Sequence, residues 1–226
     1  MTNYTQWKSL VDLHEYSAIP DSGMDHFYYS QEIGSIDPWP DEVGDLDAAS
    51  DSNPSLVSDG INGFQSVEYS GGANHQTADP WPIVSDEWTA AGVIEPDTVS
   101  GDQVIIWNGD SGGYRIRIIS GEFECGHPGV DVATTGSATT DPTVWVATYH
   151  DGNVILDANG EEQLNAAIGP PVDPTDNATI ATRPDQSTNP YDGLMGAVGA
   201  EARSAEASRR DEITNNLADA FNIDVS

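Results

Sequence analysis

Positive charge is nearly missing from this chain: seven Lys and Arg stand against 38 Asp and Glu, and Lys8 is the only lysine. So few phosphate-neutralising side chains exclude nucleic acid as a direct partner. Cysteine is equally scarce. Cys125 stands alone, which excludes an intrachain disulfide, a zinc site and a redox pair, and leaves a buried strand residue as its simplest role. No stretch approaches the roughly 20 apolar residues that span a bilayer, so membrane insertion is not expected. Residues Met1 to Ser9 are polar and lack the basic-then-apolar grammar of a secretory signal, so export by a cleavable leader is not expected either. The histidines at 14, 26, 75, 127 and 150 are dispersed, no pair lies at metal-ligand spacing, and no serine sits in a nucleophile-elbow sequence. The expectation is a protein that is not an enzyme.

What the chain has in abundance is carboxylate, with a formal net charge of −31 in 226 residues. At ordinary ionic strength such a charge strains a compact state by self-repulsion, whereas molar salt shortens the Debye length to about 3 Å and leaves mostly contact pairs felt. The composition therefore reads as that of a halophilic protein. Disorder is the competing reading of an acidic chain. Against it, six Trp and eight Tyr are spread along the whole length among Val- and Ile-rich runs. The length is ample for one cored domain.

Trp7, Leu10, Val11 and His14 fall at helical spacing, which predicts a short amphipathic helix over Tyr4 to Glu15 ended by Ile19-Pro20-Asp21-Ser22-Gly23. This sets a helical arm at 1–21 ahead of a domain at 22–226. The apolar face Trp7, Leu10, Val11 and His14 either packs on its own domain or docks onto a neighbouring subunit. From His26 onward short strands and turn signals alternate, the pattern of a sandwich or barrel. In Gly101 to Gly126, the strand Val104 to Trp107 ends at a glycine-rich turn, and Tyr114-Arg115-Ile116-Arg117-Ile118 then alternates with period two. Arg115 and Arg117 point one way, Tyr114, Ile116 and Ile118 the other. Glu122 to Cys125 continues as a second hairpin. Val144 to Tyr149, Val154 to Leu156 and the tight Asn159-Gly160 turn follow, then strands at Ala178 to Thr182 and from Leu194 to about Ala202. Ser204 to Phe221 reads as a helix N-capped by Ser204, with Ile213, Leu217, Ala220 and Phe221 on one face.

The order of these elements resembles the laminin G-like, concanavalin A-like jelly roll, an all-β sandwich, here with a short N-terminal helix and a C-terminal helix at 204–221. The similar runs are Ser85 to Ile94, Asp102 to Gly109, Gly113 to Ile116, Val144 to Gly160, Ile180 to Pro184 and Asp192 to Leu194. Pro38-Trp39-Pro40-Asp41 and Asp59 to Phe64 resemble entry strands of lectin-like domains in phage and archaeal virus structural proteins. The resemblance implies binding of sugars or protein surfaces through rim loops, often with calcium. Yet Ser70-Gly71-Gly72 and Gly196-Ala197 stand where calcium-binding relatives carry their acidic residues. No cofactor is expected at that place, although other acidic loops leave calcium open.

For a ligand site, Asn74, His75 and Trp81 lie in one turn-rich segment, with Trp81 held between Pro80 and Pro82. A tryptophan there can stack on a sugar or fill a partner's pocket, or it can cap its own core. Glu122 and Glu124 share a strand face as a glycosidase pair would, but in so acidic a chain they read as a solvated face. The resemblance and the missing leader together imply a virion structural or adhesive protein of a halophilic virus, a capsid decoration, turret or tail-fibre subunit. Such a protein would lie on the virion surface, be assembled in the host cytoplasm, and contact other virion proteins, further copies of itself as a homo-oligomer, or a host surface glycan. The alternative is a cell-surface glycan-binding module or glycosidase of a halophilic archaeon. A third reading is an intracellular halophile protein without a ligand.

Overall fold

A computed structural model describes residues 24–31, 33–82, 87–109, 112–127, 131–184 and 189–225, with 131–135 as backbone only. The arm at 1–21, with Trp7, Leu10, Val11 and His14, lies outside the described residues. Among the described residues, fifteen strands and one α-helix follow in order, with a short 3-10 turn at Ile61–Gly63. The strands are β1 (His26–Tyr29), β2 (Ala49–Asp51), β3 (Ser55–Val57), β4 (Ser66–Tyr69), β5 (Asn74–Gln76), β6 (Trp88–Pro96), β7 (Asp102–Asn108), β8 (Tyr114–Ile119), β9 (Glu122–His127), β10 (Asp131–Thr135), β11 (Thr143–His150), β12 (Asn153–Ala158), β13 (Glu161–Ala167), β14 (Ala178–Ile180) and β15 (Gly193–Glu201). The helix, α1, is Ala207–Phe221.

These strands form two antiparallel sheets. One has eight strands in the order β13-β12-β11-β6-β15-β4-β3, with β1 alongside β15, and the other has seven, β10-β9-β8-β7-β14-β5-β2. The all-β sandwich expected from the turn spacing is thus the fold. Strand alternation explains the core. In β8, Tyr114, Ile116 and Ile118 are fully buried between the sheets, in one cluster with Trp88, Trp145 and Tyr191. Stacking of Trp88 on Tyr114, with centroids 4.2 Å apart, joins the two sheets at the centre. Cys125 lies in this core as expected, and burial pushes its thiol pKa up, which keeps it an inert apolar filler.

The outer faces of the two sheets differ. On the eight-stranded sheet a second apolar layer, Ala91, Val93, Val144, Val146 and Ala197, meets Ile213, Leu217, Ala218 and Phe221 of α1. Gly196 makes this approach possible, since a Cβ there would stand 2.4 Å from the Phe221 ring. Two ion pairs fasten the helix: Arg210 Nε meets Asp157 at 2.7 Å, and Arg209 meets the fully buried Glu201 at 3.4 Å. Asn62 donates to the carbonyls of Phe221 and Asn222, which satisfies acceptors left open at the helix end. Ser204 is not the N-cap. Glu206 occupies that position without a side-chain bond, and Ser204 instead lies 3.2 Å from both Glu87 and His150. The helix therefore begins two residues later than the capping propensity of serine predicts.

Candidate functional site

With one sheet covered by α1, the outer face of the seven-stranded sheet is left open, and three of the chain's seven cationic side chains lie on it, Arg115, Arg117 and Arg183. Directly paired residues on adjacent strands point to the same side of a sheet. The register therefore aligns Ala49, Gln76, Thr179, Trp107 and Arg115 in one rung, each paired with the next across β2, β5, β14, β7 and β8. The inward side of the same strands is apolar, with Ile106, Ile116 and Ile180, so this rung faces outward. Arg117 and Glu124 form the next outward pair.

Arg115 and Arg183 both lie over Trp107, their guanidinium carbons 4.8 and 5.1 Å from the ring centre. Arg183 arrives from the turn that follows β14. Ala181 begins that turn with φ of 68°, and Thr179 Oγ1 donates to the Thr182 carbonyl at 2.7 Å, which folds the turn back over the sheet. Arg117 is held by two carboxylates: Nε and Nη2 meet Glu124 at 2.6 and 2.9 Å, and Nη1 meets Asp102 at 2.7 Å. Arg115 reaches the same Glu124 at 2.8 Å. Burial pushes the Arg115 pKa below its usual value, and Glu124 pulls it back. Arg183 has only a long contact of 3.8 Å to Asp102. The Nε groups of Arg183 and Trp107 are both buried without a hydrogen-bond partner among the described residues.

On the other side of the Arg183 turn lies an open groove of about 470 Å3, lined by Asp47, Ala49, Asp51, Gln76, Thr77 and Asn177, among others. Strands lie about 4.8 Å apart, so Gln76 in the groove is about 10 Å from Trp107. The outer face thus combines carboxylate and carboxamide groups in the groove with guanidinium groups stacked on a nearly buried indole.

The residues singled out from the sequence lie elsewhere. Asn74, His75 and Trp81 are 1, 0 and 0 % exposed, so none presents a surface to a ligand. Trp81 is a core residue after all: its backbone N–H donates to Asn108 Oδ1, and its ring lies 6.1 Å from Tyr28. His75 Nε2 donates to the Ile36 carbonyl and Nδ1 accepts from Tyr69. Glu122 is exposed, but Glu124 does not lie on a solvated face, because two arginines cover it at 4 % exposure. Trp107 and Arg183 were not singled out. The alternation that put Arg115 and Arg117 on one face, read together with how rare cations are, was the available signal.

Two further constellations carry no chemistry of this kind. His150 Nδ1 faces Glu87 at 2.8 Å and Ser204 at 3.2 Å. The glutamate occupies the nitrogen that a serine nucleophile would need, and it raises the histidine pKa through that hydrogen bond. Around Asp41, the N–H groups of Phe27 and Gly44 and the His26 ring all donate to one carboxylate. Burial alone would raise its pKa, and these donors outweigh burial and hold it below the usual value. Among the described residues no group of three metal-ligating side chains is assembled.

No family model matches this chain, and no curated protein matches it in sequence. Solved structures do match in fold. Trypanosoma rangeli sialidase superposes with a TM-score of 0.63 at 15 % identity, over 89 % of this chain and 33 % of the sialidase. The chain thus spans about a third of that enzyme's length. A botulinum neurotoxin type C structure, whose cell entry is described as dependent on two ganglioside molecules, matches with a TM-score of 0.66 at 11 % identity, over 90 % of this chain and 53 % of the toxin chain. Domain 4 of the Geobacillus stearothermophilus arabinanase AbnA, solved with arabinotriose, matches with a TM-score of 0.67 at 12 % identity, over 86 % of this chain and 98 % of that domain. These likenesses are of fold: a lectin-type β-sandwich.

Proposed function

We propose that the chain is a glycan-binding module that holds a saccharide on the outer face of its seven-stranded sheet and does not cleave it. The observation that carries this reading is the open groove on the sheet that α1 leaves uncovered, where Asp47, Asp51, Gln76 and Asn177 present carboxylates and carboxamides. Carboxylates and carboxamides of the groove take sugar hydroxyls, and the Trp107 ring, itself 7 % exposed, supports the Arg115 and Arg183 guanidinium groups that lie over it. The AbnA domain, solved with arabinotriose, matches along almost its whole length, and the botulinum structure is described through ganglioside binding. Both support the glycan-binding reading over the virion reading, for which the fold and these likenesses supply no support. Glu124, engaged by Arg115 and Arg117 through both carboxylate oxygens, is unsuited to act as a glycosidase acid.

A printed glycan array probed in molar KCl tests this. The wild-type chain is expected to bind at least one saccharide class, and Trp107→Ala and Gln76→Ala to bind it at least tenfold more weakly with an unchanged circular dichroism spectrum. An array without a bound saccharide, or binding indifferent to both substitutions, would overturn the reading.

A further inference from the structure

Resting on the glycan-binding reading, we infer that the saccharide is acidic, and that its carboxylate or sulfate is received by Arg183 over Trp107. The first ground is local charge. Three of the chain's seven cationic side chains, Arg115, Arg117 and Arg183, share this one patch. Among the described residues, the carboxylates in contact with them are two, Glu124 and Asp102. Three positive charges less two negative leave one positive charge in excess, on a molecule whose formal charge is −31. A neutral sugar has no use for that excess.

The second ground is hydrogen-bond accounting. Buried donors are normally paired, and an unpaired one is costly. The Trp107 Nε1–H and the Arg183 Nε–H are both buried and unpaired among the described residues, and the Arg183 guanidinium lies 5.1 Å from the Trp107 ring. Trp107 itself is 7 % exposed. The part of Arg183 that is open to solvent, with its one long contact of 3.8 Å to Asp102, suits a group that only accepts, and a carboxylate or sulfate is such a group. Arg117, by contrast, makes three short bonds to two carboxylates of the chain, Glu124 and Asp102.

The groove beyond the turn has the opposite character. Asp47 and Asp51 line it and accept from sugar hydroxyls while repelling a second acid. The face therefore has a direction, with the acidic group of the ligand at Arg183 and its neutral rings toward Gln76.

The test is a titration in 0.5 and 2 M KCl against oligosaccharides in matched forms: a uronic-acid oligomer and its carboxyl-reduced counterpart, and a sulfated oligosaccharide and its desulfated counterpart. Wild type and Arg183→Gln are compared, with Trp107→Ala as the control for the saccharide reading. Arg183 is 30 % exposed at its side chain and has no short ion pair, so the folded state is expected to survive its replacement. The expected result is binding of one charged form at least tenfold tighter than its neutral counterpart, with that preference lost in Arg183→Gln. Which charged form binds identifies carboxylate or sulfate as the group. Equal or tighter binding of the neutral forms, weakened by Trp107→Ala, would overturn the acidic inference and leave the saccharide reading standing. No binding of any form would overturn both.

Discussion

Single residues carry the parts of the fold with the sharpest consequences. His75 is fully buried and uncharged, because burial lowers its pKa from 6.5 to about 4 despite the pull of the Ile36 carbonyl. A group with a depressed pKa in the folded state contributes stability above its unfolded pKa and loses it as pH falls toward the folded one. Each tenfold change in proton affinity is about 1.4 kcal/mol, so the interval from 6.5 to about 4 is worth roughly 3 kcal/mol. Urea unfolding in molar KCl is expected to show that loss between pH 6.5 and 4 in wild type and a clearly shallower loss in His75→Gln; parallel curves would remove the histidine from the account. Gly196 offers a steric counterpart. Its missing side chain leaves room for Phe221, so Gly196→Val is expected to destabilise by about 1–3 kcal/mol, as overpacking does, read as a lowered melting temperature.

At the scale of elements, the helix is held by contacts of unequal worth. Arg210 and Asp157 are both largely buried and 2.7 Å apart, and breaking such a pair from one side leaves a charge without a partner, at about 3–5 kcal/mol. Arg203 is 55 % exposed at its side chain, and its partner Glu201 keeps Arg209 as a second cation when Arg203 is removed, so solvent screening and that second partner soften its loss. Arg210→Met is therefore expected to lower stability far more than Arg203→Met, and equal effects would contradict the clasp. Elements are also where the sequence was most legible. The period-two run of β8 and the Asn159-Gly160 turn are local signals, and both elements form as read. The pairing of β14 with β7 joins residues about 70 positions apart, and no local pattern encodes it. That pairing, with the turn after it, is what sets Arg183 on Trp107. Trp81 drew the eye because prolines flank it, and flanking prolines mark a stiff segment without saying which way the ring points.

For the whole molecule, 38 acidic side chains against seven basic ones predict that screening by salt supports the folded state. Lowering KCl from 2 M to 0.1 M lengthens the Debye length to about 10 Å and is expected to lower the melting temperature; an unchanged value would contradict the halophilic reading. The two sheets then have separate tasks. One carries the helix and its second core, and the other offers the mixed aromatic and polar face. The most direct measurement of that division is chemical-shift mapping in molar KCl with the saccharide selected on the array. The Trp107 indole N–H and the amides of β5, β14, β7 and β8 are expected to shift on titration while those of α1 and β11 stay in place. Shifts confined to the helix-bearing sheet or to the strand-connecting loops, with the Trp107 signal unmoved, would contradict the account.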